Sequence, residues 1–180
     1  MADGFNAPDG VAARRAWTWS PMAVADLDGV MAVASDVHAS FPERREVFAE
    51  RLALFPEGCH VLKDAGGRVG GYAVSHPWDT VMPVPLDTLL VTLPASANRY
   101  VHDVAILPAL RGGGFAGEVV GRIVRDACRD ACLSLTLVAV SGSQPFWERQ
   151  GFRAESDRDL SGKLESYGGD ARLMKRSLTR

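Results

Sequence analysis

The chain has 180 residues, of which 47% are hydrophobic, 23% charged and 8% aromatic, and its formal net charge is −2. This length predicts a single domain with one sizeable core. The charge argues against a broad nucleic-acid-binding surface, which needs clustered excess lysine and arginine. No apolar run approaches the ~20 residues that a membrane span requires, so no membrane partner is expected.

The N-terminal segment, residues 1–15, is predicted to be a flexible leader. Its opening, MADGFNAPDG, lacks the basic start and the apolar stretch of a secretory signal. Cys59, Cys128 and Cys132 lack the spacing of zinc ligands, which predicts buried free thiols in a reducing compartment. We therefore expect a cytoplasmic protein with no metal.

The first elements after the leader are a strand and two helices. AWTWS, residues 16–20, alternates two tryptophans and predicts a short strand that Pro21 closes. Apolar residues at helical spacing then predict helices over about 22–38 and about 43–54, with an interruption at Phe41 and Pro42.

A hairpin and a long loop come next. CHVLKD and VGGYAVSHPW, residues 59–64 and 69–78, flank AGGR and predict two antiparallel strands, because glycine adopts positive φ readily. The proline-rich stretch 79–98 predicts a long loop with little regular structure. Loops of this length often form lids or binding walls, although many are only connectors.

The C-terminal half alternates strands with helices. It predicts a strand over 99–107, a glycine-rich loop, a helix over about 115–131, a central strand in LSLTLVAV, a short helix in SQPFWERQGF and two final strands. The order of elements predicts an α/β or α+β single domain over residues 16–180.

The loop between strand and helix has the features of an anion site. Arg111 precedes Gly112, Gly113 and Gly114, and Gly117 follows inside the helix. Glycines let a ligand approach the main chain, and a helix N-terminus presents unpaired N–H groups with a partial positive charge. A flexible turn without a ligand would not need this many glycines.

Two common phosphate motifs do not fit this loop. Gly112, Gly114 and Gly117 match G-x-G-x-x-G, but the next strand ends in VAVSGS without the carboxylate that a dinucleotide ribose needs. Gly117 is followed by Glu118, so the Gly-Lys-Ser/Thr of a P-loop is missing. A nicotinamide oxidoreductase is therefore disfavoured.

The remaining pattern resembles the GNAT superfamily of N-acetyltransferases. Arg111, Gly114 and Ala116 match its [Q/R]-x-x-G-x-[G/A] loop, and AILP before them matches the aliphatic-x-Pro end of its strand. PFWERQGF, residues 145–152, resembles the family's aromatic helix followed by Gly-Phe. The resemblance implies one GNAT-like domain whose mixed central sheet contains a splayed strand pair and is flanked by helices.

The resemblance also implies acetyl-CoA as the acetyl donor. It assigns the donor's diphosphate to the loop, its pantetheine to main-chain groups of the preceding strand, and the oxyanion to a backbone N–H near Ile106. The implied cofactor-binding residues are Ala105, Ile106, Arg111, Gly112, Gly113, Gly114, Phe115, Ala116, Gly117 and Trp147.

The resemblance also implies a general base on the same strand, where family members often carry an acidic residue. Asp103 is the first candidate and His102 the second, because an ordinary histidine pKa suits the task. As neighbours on a strand they are expected to face opposite sides of the sheet. Asp103 could equally brace a neighbouring segment, and His102 could be a half-buried structural histidine.

One position departs from the family pattern. Many members carry a tyrosine four residues before the Gly-Phe to protonate the leaving thiolate, but Trp147 stands there and an indole cannot act as an acid. The thiolate then leaves unprotonated, or a hydroxyl from Ser141, Ser143, Tyr100 or Tyr72 replaces the missing phenol.

Acceptor candidates are Tyr72, His76 and Trp78 near the end of the hairpin strand, although an ordinary strand end explains them equally well. The leading interpretation is direct acetyl transfer to a primary amine of a small molecule or a protein, through a tetrahedral intermediate, by a monomer or homodimer. The alternative is a non-catalytic acyl-CoA-binding sensor or partner module of the same fold.

Overall fold

The structure is a computed structural model that describes residues 16–79, 83–155, 164, 167 and 170–178. The predicted leader, residues 1–15, lies outside the described residues. Within them no helix is long and apolar enough to cross a bilayer.

A mixed seven-stranded sheet forms the centre of the molecule, in the order β1-β2-β3-β4-β5-β7-β6. All neighbouring strands pair antiparallel except β4 and β5, which are parallel. The strands are β1 Trp17–Pro21, β2 Cys59–Asp64, β3 Val69–Pro77, β4 Asn98–Ile106, β5 Ser134–Ala139, β6 Arg153–Ala154 and β7 Arg172–Ser177. The predicted hairpin and the central position of β5 are confirmed.

Helices cover both faces of the sheet, as the α/β pattern predicted. They are α1 Leu27–Val37, α2 Arg45–Leu54, α3 Phe115–Arg129 and α4 Gln144–Arg149. Val30, Val33 and Phe48 pack α1 and α2 into one core cluster, while α3 packs into the other. The apolar stripe of α3 consists of Val119, Val120, Ile123 and Ala127, all buried.

The first predicted helix begins later than its apolar spacing indicated. Residues Val24–Asp26 form a 3₁₀ turn instead, and α1 starts only at Leu27. The backbone N–H of Ala23 donates to the Asp26 carboxylate at 2.8 Å, which satisfies a donor at the start of this turn. Periodicity alone does not separate such a turn from the helix that follows it.

The predicted splay is present between β4 and β5. Only Asn98–Tyr100 of β4 pairs with β5, opposite Ser134–Thr136, and the remainder of β4 has no ladder on that side. A gap therefore opens in the middle of the sheet, beside the N-terminus of α3.

A β-bulge interrupts the other side of β4. Val74 of β3 lies opposite Asp103 and Ser75 lies opposite Val101, so that His102 is the extra residue. The expectation that His102 and Asp103 face opposite sides is therefore wrong: His102 reaches Glu43, just before α2, and Asp103 reaches His38, just after α1.

The proline-rich loop has no helix or strand over 83–97, as predicted, yet side chains at and before α2 hold it firmly. The Glu50 carboxylate accepts from the N–H groups of Leu90 and Val91, each at 2.8 Å. The Glu43 carboxylate accepts from the N–H of Asp87 at 2.9 Å.

The cysteine prediction is correct only in part. All three thiols are free and Cys59 is buried, but Cys128 is exposed and Cys132 is half-buried. Cys128 lies outside the apolar stripe that α3 turns toward the sheet, so the helix presents it to solvent. No cluster of metal-ligating side chains occurs among the described residues.

Candidate functional site

A cleft of about 740 Å³ occupies the gap between β4 and β5. One end lies at the glycine loop and the first turn of α3, and the other lies where His38, His102 and Asp103 meet. The predicted site residues that line it are His102, Asp103, Ile106, Arg111, Gly112, Gly114, Phe115, Ala116, Gly117 and Trp147.

The glycine loop turns unpaired amides toward one end of this cleft. Gly112 and Gly114 have φ of 83° and 81°, a conformation that favours glycine. In this loop and the first turn of α3, the N–H groups that make no hydrogen bond with the described residues belong to Gly112, Gly114, Phe115, Ala116 and Gly117. Such a set of donors at a helix N-terminus is suited to bind a diphosphate.

Two N–H groups of the loop are bonded within the loop region and are not free for a ligand. The N–H of Arg111 donates to the carbonyl of Pro108 at 3.2 Å, and that of Gly113 donates to the carbonyl of Leu110 at 3.4 Å. A Cβ at Gly113 would lie 2.7 Å from the Phe115 ring, so Gly113 packs against that ring and does not line the cleft.

Arginine side chains from two elements flank the amides. Arg111 donates from Nε to the carbonyl of Ile106 at 3.3 Å, which places its guanidinium at the junction of β4 and the loop. Arg149 of α4 lines the same cleft and had not been singled out in the sequence. Both arginines can add positive charge where an anion would bind.

The backbone of β4 divides its donors and acceptors between β3 and the gap. The N–H of Leu107 donates to the carbonyl of Gly70 at 2.9 Å, and Ala105 lies opposite Tyr72. Because antiparallel pairs alternate, the main-chain groups of Ala105 turn toward β3 and those of Val104 and Ile106 turn toward the gap. Ala105 thus lies behind the cleft. Val104 lines the cleft at the position where the sequence had predicted Ala105.

Asp103 is the centre of a polar cluster at the other end. Its Oδ2 accepts from the Tyr72 hydroxyl, and its Oδ1 lies 2.9 Å from Nε2 of His38. Burial is the largest influence on the Asp103 carboxyl and acts to raise its pKa. The contacts with His38 and Tyr72 outweigh burial, so that the pKa lies below its usual range.

His102 belongs to a second pair beside the first. Its Nε2 lies 2.9 Å from the Glu43 carboxylate, and the two side chains are only 3% and 6% exposed. Burial favours a neutral Glu43, but the charge and hydrogen bond of His102 outweigh it and lower the pKa of the carboxyl. His102 is therefore held within the wall of the cleft.

The predicted acceptor residues lie outside the lining of this cleft. Tyr72 is fully buried, and its hydroxyl donates to Asp103. His76 is also fully buried, and burial, reinforced by the charge of His102, lowers its pKa to about 3. Trp78 packs edge-on against His76, with ring centroids 5.9 Å apart.

Trp147 lines the cleft where the family pattern has a tyrosine. It is 7% exposed and packs edge-on against Phe146 and Phe152, which favours a packing role. Of the four hydroxyls considered as replacements for the phenol, Ser141 and Ser143 line the cleft, whereas Tyr72 and Tyr100 are buried away from it.

His38 and Glu43 are the polar residues at the reaction end that sequence reasoning missed. His38 follows α1 and Glu43 precedes α2, about sixty residues before the strand that they meet. No local motif surrounds either residue. The only available signal was the scarcity of histidine, with four in the whole chain.

Comparisons with known proteins agree with this geometry. The acetyltransferase (GNAT) family model matches residues 25–152, well over half of the chain. A search of the curated proteins returned no match.

Solved structures share the fold at low sequence identity. The loading GNATL domain of CurA from Lyngbya majuscula has a TM-score of 0.75 and 14% identity, covering 89% of this chain and 97% of that chain. The ribosomal-protein-S18-alanine N-acetyltransferase from Escherichia coli has a TM-score of 0.65 and 15% identity, covering 91% and 95%. A chain of the NatC complex bound to Gag peptide and CoA has a TM-score of 0.68 and 18% identity, covering 91% and 99%.

The family match over most of the domain, the splayed strand pair and the glycine loop with its free amides all agree. The chain therefore belongs to the GNAT family of acetyltransferases, whose acetyl donor is acetyl-CoA.

Proposed function

We propose that this protein is an N-acetyltransferase that moves the acetyl group of acetyl-CoA to a primary amine of a small molecule or a protein. One observation carries the proposal. A single cleft joins unpaired amides at the start of α3 to a cluster of carboxylates and imidazoles beside β4. The first set of groups suits an anionic donor, and the second suits a cationic acceptor.

The donor end would bind through main-chain groups. The free amides of Gly112 and of residues 114–117 accommodate the diphosphate, with Arg111 and Arg149 supplying charge. The groups of Val104 and Ile106 that face the gap can pair with the amides of pantetheine as a further strand would. The Ile106 N–H is also a candidate to stabilise the oxyanion.

The acceptor end favours a positively charged amine. Asp103 and Glu43 both have pKa values below their usual range, so both carry negative charge at neutral pH. Their charge attracts an ammonium group toward the cleft, where it must lose a proton before it can attack. Of the two catalytic candidates on β4, Asp103 is 18% exposed and His102 is 3% exposed, which supports Asp103 as the more accessible centre.

The structural neighbours suggest which acceptor amines to test. Two structural neighbours are named for polypeptides, a ribosomal protein in one case and a bound Gag peptide in the other. We therefore propose testing peptides with a free N-terminal amine beside small primary amines and polyamines. Ser141 and Ser143 are the proposed hydroxyls beside the leaving thiolate, since both line the cleft near Trp147.

The experiment is thiol release from acetyl-CoA over this amine panel, with product identity checked by mass spectrometry. Turnover on at least one amine, with a product heavier by one acetyl group, is the expected result. Asp103→Asn and His102→Ala run beside the wild type. Tight CoA binding without turnover on any amine would instead support a sensor module, for which the Trp147 departure is the specific argument.

A further inference from the structure

His38 occupies a fixed position at the reaction end of the cleft. Its backbone N–H donates to Ala34 and its carbonyl accepts from Phe41, each at 2.8 Å, so the residue is anchored at the end of α1. Its side chain lines the cleft and is 23% exposed. The imidazole is therefore both held in place and open to a ligand.

The carboxylate of Asp103 is occupied on both oxygens. Tyr72 donates to Oδ2, and this hydroxyl is itself immobile because the buried Tyr72 ring packs edge-on against Phe48 at 5.4 Å. Oδ1 faces Nε2 of His38. A carboxylate held in this way, with its pKa lowered, is a weak acceptor for a further proton.

The two nitrogens of His38 have different surroundings. Nε2 is buried and lies 2.9 Å from Oδ1 of Asp103. Nδ1 makes no hydrogen bond with the described residues, and the side chain is 23% exposed. With a proton on Nε2 facing the carboxylate, Nδ1 presents a lone pair for a ligand. This is the arrangement of an imidazole base oriented by a carboxylate.

The carboxylates around His38 raise its pKa. Burial is the largest influence and opposes its protonation, and the positive charge of Arg111 also opposes it. The hydrogen bond and charge of Asp103, with the charge of Glu43, outweigh both and raise the pKa of His38 above its ordinary value. The raised pKa makes His38 a stronger proton acceptor than an ordinary histidine.

We propose that His38 is the catalytic residue that accepts the proton of the acceptor ammonium, that Asp103 is its positioning residue, and that Tyr72 holds Asp103. The inference rests on the acetyltransferase function proposed above. It gives the role of base, which the sequence had assigned first to Asp103 and second to His102, to a residue that the sequence had not singled out, because Asp103 acts through His38. His102 is not the base, since its Nε2 is paired with Glu43 and its Nδ1 is buried.

The proposed step conserves atoms and charge. Nδ1 of neutral His38 takes one proton from the ammonium, which leaves an amine with a free electron pair. That pair forms the new C–N bond at the acetyl carbonyl carbon, and the C–S bond breaks with its electron pair on sulfur. The nitrogen loses its second proton to the thiolate, and the imidazolium later releases its proton to solvent.

The test compares His38→Gln, His38→Ala and Asp103→Asn with the wild type on an amine that the panel identifies. We expect kcat to fall by about 100-fold or more in His38→Gln, within the usual range for loss of a general base, while CoA affinity changes less than about twofold. Added imidazole should restore part of the activity of His38→Ala but none to Asp103→Asn. His60→Gln, at a buried histidine remote from the cleft, is the matched control and should retain full kcat.

Two readouts separate catalysis from a structural role. In the wild type kcat/KM should rise with pH through the pKa of His38, and this inflection should disappear in His38→Gln. Nuclear magnetic resonance titration of the His38 ring, without any substrate, should show a lower pKa in Asp103→Asn because the carboxylate no longer stabilises the imidazolium.

Each outcome points to one conclusion. Full activity of His38→Gln with an unchanged inflection, or an unshifted His38 pKa in Asp103→Asn, would overturn the His38 proposal and leave the acetyltransferase function standing. A wild type that binds CoA but turns over no amine would overturn both.

Discussion

The two ends of the cleft are built in different ways. The donor end uses main-chain groups from residues 104–117, which follow one another along the chain. The reaction end gathers side chains from four separate segments: His38 after α1, Glu43 before α2, Tyr72 on β3 and Asp103 on β4. A site made of backbone can be recognised from a local motif, whereas a site made of side chains depends on how distant elements pack.

If the ends are separable, Asp103→Asn should affect turnover alone. We expect kcat to fall by about 100-fold or more because His38 loses its orienting carboxylate, while CoA binds as before. Steady-state kinetics and calorimetry measure the two properties. Asp26→Asn removes another buried carboxylate, paired with Lys63 and outside the cleft, and should cost stability only. Loss of CoA affinity in Asp103→Asn would show that the ends are coupled.

Gly114→Val is the converse change. A valine at a φ of 81° is strained by about 1–2 kcal/mol, and its side chain obstructs the approach of a ligand to the loop amides. We expect CoA to bind at least about tenfold more weakly, a loss of about 1.4 kcal/mol.

The control for this change is Gly67→Val in the hairpin turn. Gly67 has a φ of 82° and nothing within 4 Å of an added Cβ, so the backbone strain is matched away from the cleft. Equal CoA affinity in the two variants, determined by calorimetry, would contradict the assignment of the loop.

Tyr72→Phe sharpens the comparison at the reaction end. The change removes the donor to Oδ2 of Asp103, which should raise the pKa of that carboxyl and loosen its hold on His38. We expect kcat to fall by about fivefold, equivalent to about 1 kcal/mol for one hydrogen bond, with KM for acetyl-CoA unchanged. An unaltered kcat would mean that Tyr72 has only a packing role.

The smallest expected effect concerns stability in acid. The pKa of His76 falls from 6.5 to about 3 on folding, so between these values the unfolded chain binds a proton that the folded chain does not. The free energy of unfolding should therefore decrease as pH falls below 6.5, by at most about 1.4 kcal/mol per pH unit from this residue. Urea denaturation at several pH values should give a shallower slope for His76→Gln, and an identical slope would refute the assignment.

The sequence predicted the parts of the molecule that local patterns determine. The hairpin and the apolar stripe of α3 follow from residue spacing, the loop from Arg111 to Gly117 follows from its motif, and the splayed pair follows from the resemblance to the GNAT superfamily. The bulge at His102 could not be predicted, because it depends on the register that β3 imposes on β4. That single extra residue turns His102 and Asp103 to the same side, which sequence alternation had excluded.

Strand pairing also explains why the sequence predicted Ala105, and not Val104, to bind the cofactor. The strand was identified correctly, but only the hydrogen bond from Leu107 to Gly70 shows which residues turn toward the gap. His38 was missed because its partner lies on another element, brought near by the packing of α1 on the sheet. The cytoplasmic location and the monomer or homodimer state stay predictions.

The most direct test of the account is a calorimetric titration of the wild-type protein with CoA, and with NAD in parallel. The unpaired amides at the start of α3 and the strand edge at Val104 and Ile106 predict one CoA site per chain and no measurable NAD binding. Absence of CoA binding, or equal binding of NAD, would contradict the claim that this cleft holds an acyl-CoA.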